Sequence, residues 1–429
     1  MTAGALPVAV TRARTGAPPA LAAWIALLIV IVAAGLAAFA YQFANGLVVT
    51  GLRNTMMWGN YILFFMFFVG LSAGGLIVAS AGRLFGISAF KPITRLAVVE
   101  ATIAVMLAGI FIIPDLGRPE RVLNILLYAN LTSPMVWDIT IVVAYTVLSM
   151  SYVWLYTRED LARRGSWLAF GTGVSEREHV RDERLKSALA WVALPAAILL
   201  HSITAWIFGL QISRTFWYSA IMAPLFIASA LVSGLALVIL LALALRRLRR
   251  IEFDDRLVSY LGALLAVFVV VEAFFVGSEF LTAAYPGVPT DADPIRRLLF
   301  GPYAPLFWSE VVVGLAVPFA ILAARAGRRR PALVGVAAVL AVVGIFIHRL
   351  NLLLNGLSYV PIPLPPGVAI GAPQAGTPQS FAAYHWYVPT AVEWLIVGGV
   401  LAFGALLFTL AGMYMPLRER PAHAASEMR

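Results

Sequence analysis

The chain has 429 residues, of which 61% are hydrophobic and 12% charged, with a mean hydropathy of +0.89. A soluble globular domain is about 25% charged, so these figures exclude one and indicate an integral membrane protein. The net charge of +10 does not indicate nucleic-acid binding, because the basic residues fall in short loops between apolar runs; the lack of cysteine excludes disulfides, thiolate metal sites and an iron–sulfur cluster of the chain's own.

Runs of about 20 apolar residues read as transmembrane helices. Ten spans are predicted, at 21–41, 60–85, 93–113, 135–156, 188–210, 219–245, 257–281, 303–325, 332–354 and 391–415. The first follows Arg12 and Arg14 as a signal peptide would, but its apolar core is long enough for an uncleaved anchor. Of the 31 Lys and Arg, 24 lie in the two tails and the loops after even-numbered spans, and 7 in the loops after odd-numbered spans. The positive-inside rule therefore puts both termini in the cytoplasm of a bacterial inner membrane. Three outer loops, 114–134, 282–302 and 355–390, are long and rich in Pro, Gly and aromatics, the composition of a packed docking surface. The inner segment 157–187 is charged and reads as solvated and partly helical.

The spans repeat. "HSITAWIFGL" (201–210) closes span five as "HRLNLLLNGL" (348–357) closes span nine: His, a small polar residue at +3 (Thr204, Asn351), then Gly-Leu. "SPMVW" opens span four and "APLFW" span eight, pairing Pro134 with Pro305 and Trp137 with Trp308. Spans two and six share a small-residue seam, "GLSAGG" and "ALVSGL", which lets helices approach closely. Matches four spans apart imply two four-helix bundles in parallel orientation, spans two to five and six to nine. The expected fold is an all-α integral membrane protein with these bundles flanked by the first and last spans. Its divisions are a tail (1–20), the first span and loop (21–59), the two bundles (60–210 and 211–357), a periplasmic loop (358–390) and the last span with its tail (391–429).

Helical rise sets His201 and Glu272 each roughly 13 Å below the outer ends of their spans. Glu310 and His348 lie somewhat shallower, while Asp115, Asp138, Glu279, Arg349 and Glu393 lie at outer ends. Only Glu100 falls in the cytoplasmic half. A solvated helix end explains the terminal groups. For the deeper ones it is weaker, because an unpaired charge there costs several kcal/mol. Acids and imidazoles crowded toward one face suit quinol oxidation, which needs hydrogen-bond partners for two oxygens, a base for two protons and an electron acceptor nearby. The chain supplies the first two.

"FFVGLSAGG" on span two, "DLGRPER" at 115–121 followed by "SPMVWD", the His of span five, and the closing "YVPTAVEW" and "GALLFTLAGMYMPL" resemble the NrfD-like polysulfide reductase membrane-subunit family. The likeness runs from about Trp58 to Leu417, and the length suits the ten-span members found in alternative complex III and in molybdopterin respiratory complexes. The resemblance implies a haem-free subunit with no covalently bound cofactor. It would exchange electrons between quinol (menaquinone or ubiquinone) and a periplasmic ferredoxin-like iron–sulfur subunit, and would not be active alone. A molybdopterin catalytic subunit or a multihaem cytochrome would complete the complex, and membrane lipid surrounds it. The family's quinol site maps onto Asn60, Tyr61, Ser72, Asp115, Arg118, Ser133, Asp138, His201 and Trp206. His201 and Asp115 would take the protons, and Glu100, Glu272 and Glu310 would serve a proton path. Each has a plainer reading: His201 as a structural histidine, Asp115 paired with Arg118, Trp206 as an interfacial anchor. The second bundle's histidine helix would be kept for polar packing or proton transfer rather than for a second quinone. Two rivals stand: a haem b anchor ligated by His201 and His348, and a secondary transporter or channel with helices broken at the midplane.

Overall fold

The computed structural model describes residues 19–170, 173–362, 381–384 and 386–415. Both tails and most of the 355–390 loop, with the docking surface expected there, lie outside the described residues. Ten helices among them are long and apolar enough to cross a membrane. They are α1 (Pro19–Asn45), α2 (Asn60–Leu84), α3 (Lys91–Asp115), α4 (Pro134–Arg163), α5 (Glu176–Gly209), α6 (Met222–Arg247), α7 (Asp255–Ala284), α8 (Ala304–Ala323), α9 (Pro331–Ser358) and α10 (Ala391–Tyr414). The chain is an all-α multi-pass membrane protein, with one addition to the all-helical expectation. After α9, β1 (Tyr359–Ile362) pairs antiparallel with β2 (Phe381–Tyr384), Tyr359 opposite Tyr384.

The largest difference from the predicted boundaries is at α4 and α5, which run well past their apolar stretches. Charge alone does not end a helix. A capping box starts α5, with Ser175 Oγ accepting from the Glu178 N–H and the Glu178 carboxylate accepting from Ser175 N–H. Ion pairs then hold the polar ends: Arg158 with Asp182, and Arg95 of α3 with Asp160 at 2.9 Å. α8 is not uniform either. Ser309–Ala316 is a π-helical stretch followed by Pro318, which has no N–H for the Gly314 carbonyl.

Helices α2, α3, α4 and α5 pack each on the next, with α5 returning to α2; α6, α7, α8 and α9 do likewise, with α9 returning to α6. α2 and α6 join the two sets, and α1 pairs with α10 beside α3. The α2–α6 contact is the meeting of the two small-residue seams. A Cβ at Gly74 would strike Ala230 O and Gly234 Cα, and one at Gly234 would strike Gly74 Cα. Only hydrogen at both positions lets the backbones lie this close. The ends of α4 and α8 are tied alike: the Trp137 indole donates to Leu131 O at 2.6 Å, and that of Trp308 to Leu299 O at 3.1 Å. The end of the molecule carrying the loops after odd-numbered helices is called the loop-rich face below.

Candidate functional site

At the loop-rich end of the first set, four helices bring polar side chains together. α2 starts at Asn60, whose backbone N–H donates to Tyr387 Oη at 2.8 Å. The Tyr387 hydroxyl in turn donates to Glu393, and Glu393 Oε2 accepts from Gly51 N at 2.7 Å and Thr390 N at 2.8 Å. Burial and the Glu393 carboxylate push the Tyr387 phenol above its ordinary pKa, so it stays a donor. Beside this, Tyr61 Oη donates to Gln42 Oε1 at 2.6 Å, and Gln42 Nε2 donates to Pro114 O at 2.6 Å. Asp115 follows Pro114 and lies within electrostatic reach of Tyr61 and Glu393. Two atoms here are buried and without a hydrogen-bond partner among the described residues: the donor Asn60 Nδ2 and the acceptor Asp115 Oδ1. An orphaned buried polar atom costs about 1–3 kcal/mol. A donor and an acceptor both left open in one cluster fit a ligand that offers the opposite of each.

Deeper in the first set the groups separate. The His201 ring lies against the seam, where a Cβ at Gly70 would sit 3.9 Å from Nε2 and 3.5 Å from Ser233 Oγ. Neither ring nitrogen meets hydrogen-bond geometry with a described partner. Gly70 is nine residues beyond Tyr61 on α2, roughly 13 Å along the axis. His201 therefore lies deeper along α2 than the Tyr61–Asp115 group. Ser72 Oγ donates to Ala101 O at 2.6 Å and lies 3.3 Å from Tyr145 Oη. Glu100 is buried beside Gly75, where a Cβ would collide with its Oε2, and both its oxygens lack hydrogen-bond partners among the described residues. Asp138 Oδ1 accepts from Thr204 Oγ1 at 2.5 Å, joining α4 to α5.

Among the remaining expected site residues, Arg118 is exposed and forms no ion pair with Asp115, Ser133 stands half-buried at the N-cap position of α4 without a side-chain capping bond, and Trp206 is 37% exposed on the outside of α5. The interfacial reading of Trp206 fits that placement. Glu272 and Glu310 belong to a separate cluster in the second set. His348 Nδ1 lies 2.8 Å from Glu310 Oε1, Asn351 Nδ2 donates to Glu310 Oε2 at 2.7 Å, and Glu272 Oε1 is 4.0 Å from His348 Nε2. Arg349, 1% exposed, stacks its guanidinium 3.7 Å over the Phe226 ring centroid and donates to Ser229 Oγ. It stands within electrostatic reach of both His201 and Glu272. The aromatic face stabilises this buried cation in addition to the acids within its reach.

Sequence reasoning assigned no role to Gln42, Tyr145, Tyr387 or Glu393. Two signals were legible: Gln42 is an amide inside an apolar run, and Thr390-x-x-Glu393 is a capping box pattern. What neither tells is that the start of α10 returns to the start of α2.

A family model for polysulphide reductase, NrfD, matches residues 48–361. The chain is 39% identical over 404 residues, 94% of its own length and 93% of the relative's, to a Halobacterium salinarum protein provisionally named as a dimethyl sulfoxide reductase membrane subunit. It is 26% identical to the Hdr-like menaquinol oxidoreductase integral membrane subunit of Archaeoglobus fulgidus, over 90% of this chain and 92% of that one. With a polysulfide reductase chain of Wolinella succinogenes it shares 24% identity over 72% of its length and 96% of the relative's.

Proposed function

From the premise that this chain belongs to the NrfD polysulphide reductase family, we propose that it is the quinone-reactive membrane subunit of a respiratory oxidoreductase complex. Its quinol site is the Asn60–Tyr61–Asp115 cluster. The open donor and the open acceptor there, Asn60 Nδ2 and Asp115 Oδ1, carry this reading, and a relative named as a menaquinol oxidoreductase subunit supports it. One quinol hydroxyl donates to Asp115, and Asn60 donates to a quinol oxygen. Tyr61 is held by Gln42 as a wall of the site. Oxidation releases two protons and two electrons. Asp115 accepts one proton and passes it to the loop-rich face, the second proton leaves the other quinol hydroxyl for solvent at the same face, and the electrons pass to a ferredoxin-like iron–sulfur subunit docked there, beside a molybdopterin or multihaem partner. The loop-rich face is periplasmic and both termini are cytoplasmic, a reading the Lys/Arg distribution supports. Helices α2–α5 and α6–α9 are two copies of one four-helix unit, and the second unit, with Glu272 and Glu310, moves protons.

The deciding experiment purifies the complex with Asp115→Asn and follows quinol oxidation. Loss of turnover with every subunit retained is expected; full turnover would remove Asp115 from the site. Single cysteines at Tyr128 and Tyr285, both exposed on the loop-rich face, should react with an impermeant maleimide in intact cells. Labelling only after lysis would invert the topology.

A further inference from the structure

Helix α2 begins without a cap of its own. The first N–H groups of a helix have no partner within it, and a Ser, Thr, Asn or Asp just before the first turn commonly accepts one of them. Here that position is Gly59, which has no side chain to do so. The acceptor is instead Tyr387 Oη, 327 residues along the chain from Asn60, whose backbone N–H it takes at 2.8 Å. Gly59 is also what admits it, because a Cβ there would strike the Tyr387 ring and hydroxyl.

The hydroxyl is fixed at its donor end as well. Tyr387 donates to Glu393, a fully buried carboxylate that closes the capping box of α10 with Thr390. The same segment is bonded to the loop between α1 and α2: Glu393 Oε2 accepts from Gly51 N at 2.7 Å, and Thr390 Oγ1 donates to Val49 O at 3.0 Å. Gly51, like Gly59, leaves no room for a Cβ, which would strike Val388 O. Residues 387–393 thus lie as a strap over the entry to α2. Tyr387 and Glu393 stand beyond residues 48–361, so the cap is supplied from outside the segment that the family model matches.

What the strap holds is the turn that carries Asn60. That residue is 3% exposed, and its Nδ2 has no hydrogen-bond partner among the described residues. Tyr387 takes the backbone N–H and leaves the side-chain amide free, in a turn that would otherwise fray at its first residue. We propose that Tyr387, held by Glu393, is a positioning residue of the quinol site: it caps α2 from across the fold and fixes the turn from which Asn60 reaches a quinol oxygen. This rests on the quinol reading given above, and Tyr387 acts through Asn60.

The test uses the detergent-solubilised complex and a short-chain menaquinol, with KM and kcat measured separately. Tyr387→Phe keeps the ring on Gly59 and removes only the hydroxyl. It should raise KM about fivefold, the scale of one lost helix cap, with kcat near wild type, because Asn60 holds quinol in ground and transition states alike. A merely structural defect would lower the amount of active complex and leave KM alone. Glu393→Gln, whose amide can still hold Gly51 and Tyr387, should raise KM less than Tyr387→Phe does. Asn60→Ala should raise KM at least as much, and Tyr387→Phe added to it should raise KM no further. Gly59→Ala displaces the Tyr387 ring from the α2 side and alters no polar group; it should raise KM likewise and serves if Tyr387→Phe does not assemble. Unchanged KM in Tyr387→Phe or Gly59→Ala, or an additive rise in the double variant, overturns the positioning role while Asn60→Ala still impairs binding. A larger rise in Glu393→Gln than in Tyr387→Phe overturns it too, since the effect would then lie in the carboxylate charge. If Asn60→Ala leaves KM unchanged, the quinol site itself is misplaced and the positioning role falls with it.

Discussion

The two sets of four helices place an acid opposite a histidine helix in the same way and finish it differently. In the first, Asp138 of α4 accepts from Thr204, three residues after His201. In the second, Glu310 of α8 accepts from Asn351, three residues after His348, and its other oxygen meets His348 as well. Glutamate is longer by one methylene, and it lies in the first turn of the π-helical stretch Ser309–Ala316. The second acid thus spans both polar residues of α9, while the first satisfies one and leaves His201 to the seam. A similar helix pair thus yields an acid joined to its histidine in one half and an acid apart from its histidine in the other. The lesson is that His201 and His348, matched in sequence, are not matched in chemistry.

That comparison can be broken at several points. The strongest effect belongs to the joint between the halves: Gly74→Val or Gly234→Val drives a side chain into the opposing backbone and should abolish recovery of the complex by size-exclusion chromatography. Gly70→Ala, where a Cβ meets Ser233 Oγ at 3.5 Å, should assemble. Next, Asp115→Ala should lower quinol oxidation about 10²–10⁴-fold. His201→Ala and His348→Ala should cost far less in assembled complex. A His201→Ala loss equal to that of Asp115→Ala would move the quinol headgroup deeper along α2.

Smaller effects measure the networks. Glu310→Ala leaves two buried polar groups without a partner and should cost about 2–4 kcal/mol in thermal or denaturant unfolding. Asp138→Ala breaks one interhelical hydrogen bond and should cost about 1 kcal/mol in the same lipid, the range for such bonds within membranes. Equal losses would mean that the first half has polar partners comparable to the second. The least effect is expected from Trp206→Leu, whose ring faces outward; a marked loss of turnover would bring it into the site.

Much of this was legible along the chain, because a span announces itself by length and hydropathy alone. Every backbone group in lipid must be bonded within its own segment, so ten apolar runs of the right length read as ten helices without knowledge of their packing. The helical ends of α4 and α5 were less legible, since hydropathy stops where the ion pairs between Arg158 and Asp182 and between Arg95 and Asp160 take over. The residues "GLSAGG" and "ALVSGL" announced close packing.

That the two seams pack on each other was decided only in three dimensions, as were the partners of each polar side chain. His201 packs on Gly70 of α2, nine residues along that helix from Tyr61, so it meets the seam rather than the Tyr61–Asp115 group. Gln42, Tyr387 and Glu393 join Tyr61 and Asp115 because α1 and α10 pair beside α3, which brings the end of α1 and the start of α10 to one place. The sequence by itself determined which groups had to be hydrogen-bonded or hydrated, since burial costs each of them the same whatever its neighbours are. Only the tertiary structure decided which of them found partners within the chain and which, like Asn60 Nδ2 and Asp115 Oδ1, were left open, because that depends on the contact of helices hundreds of residues apart.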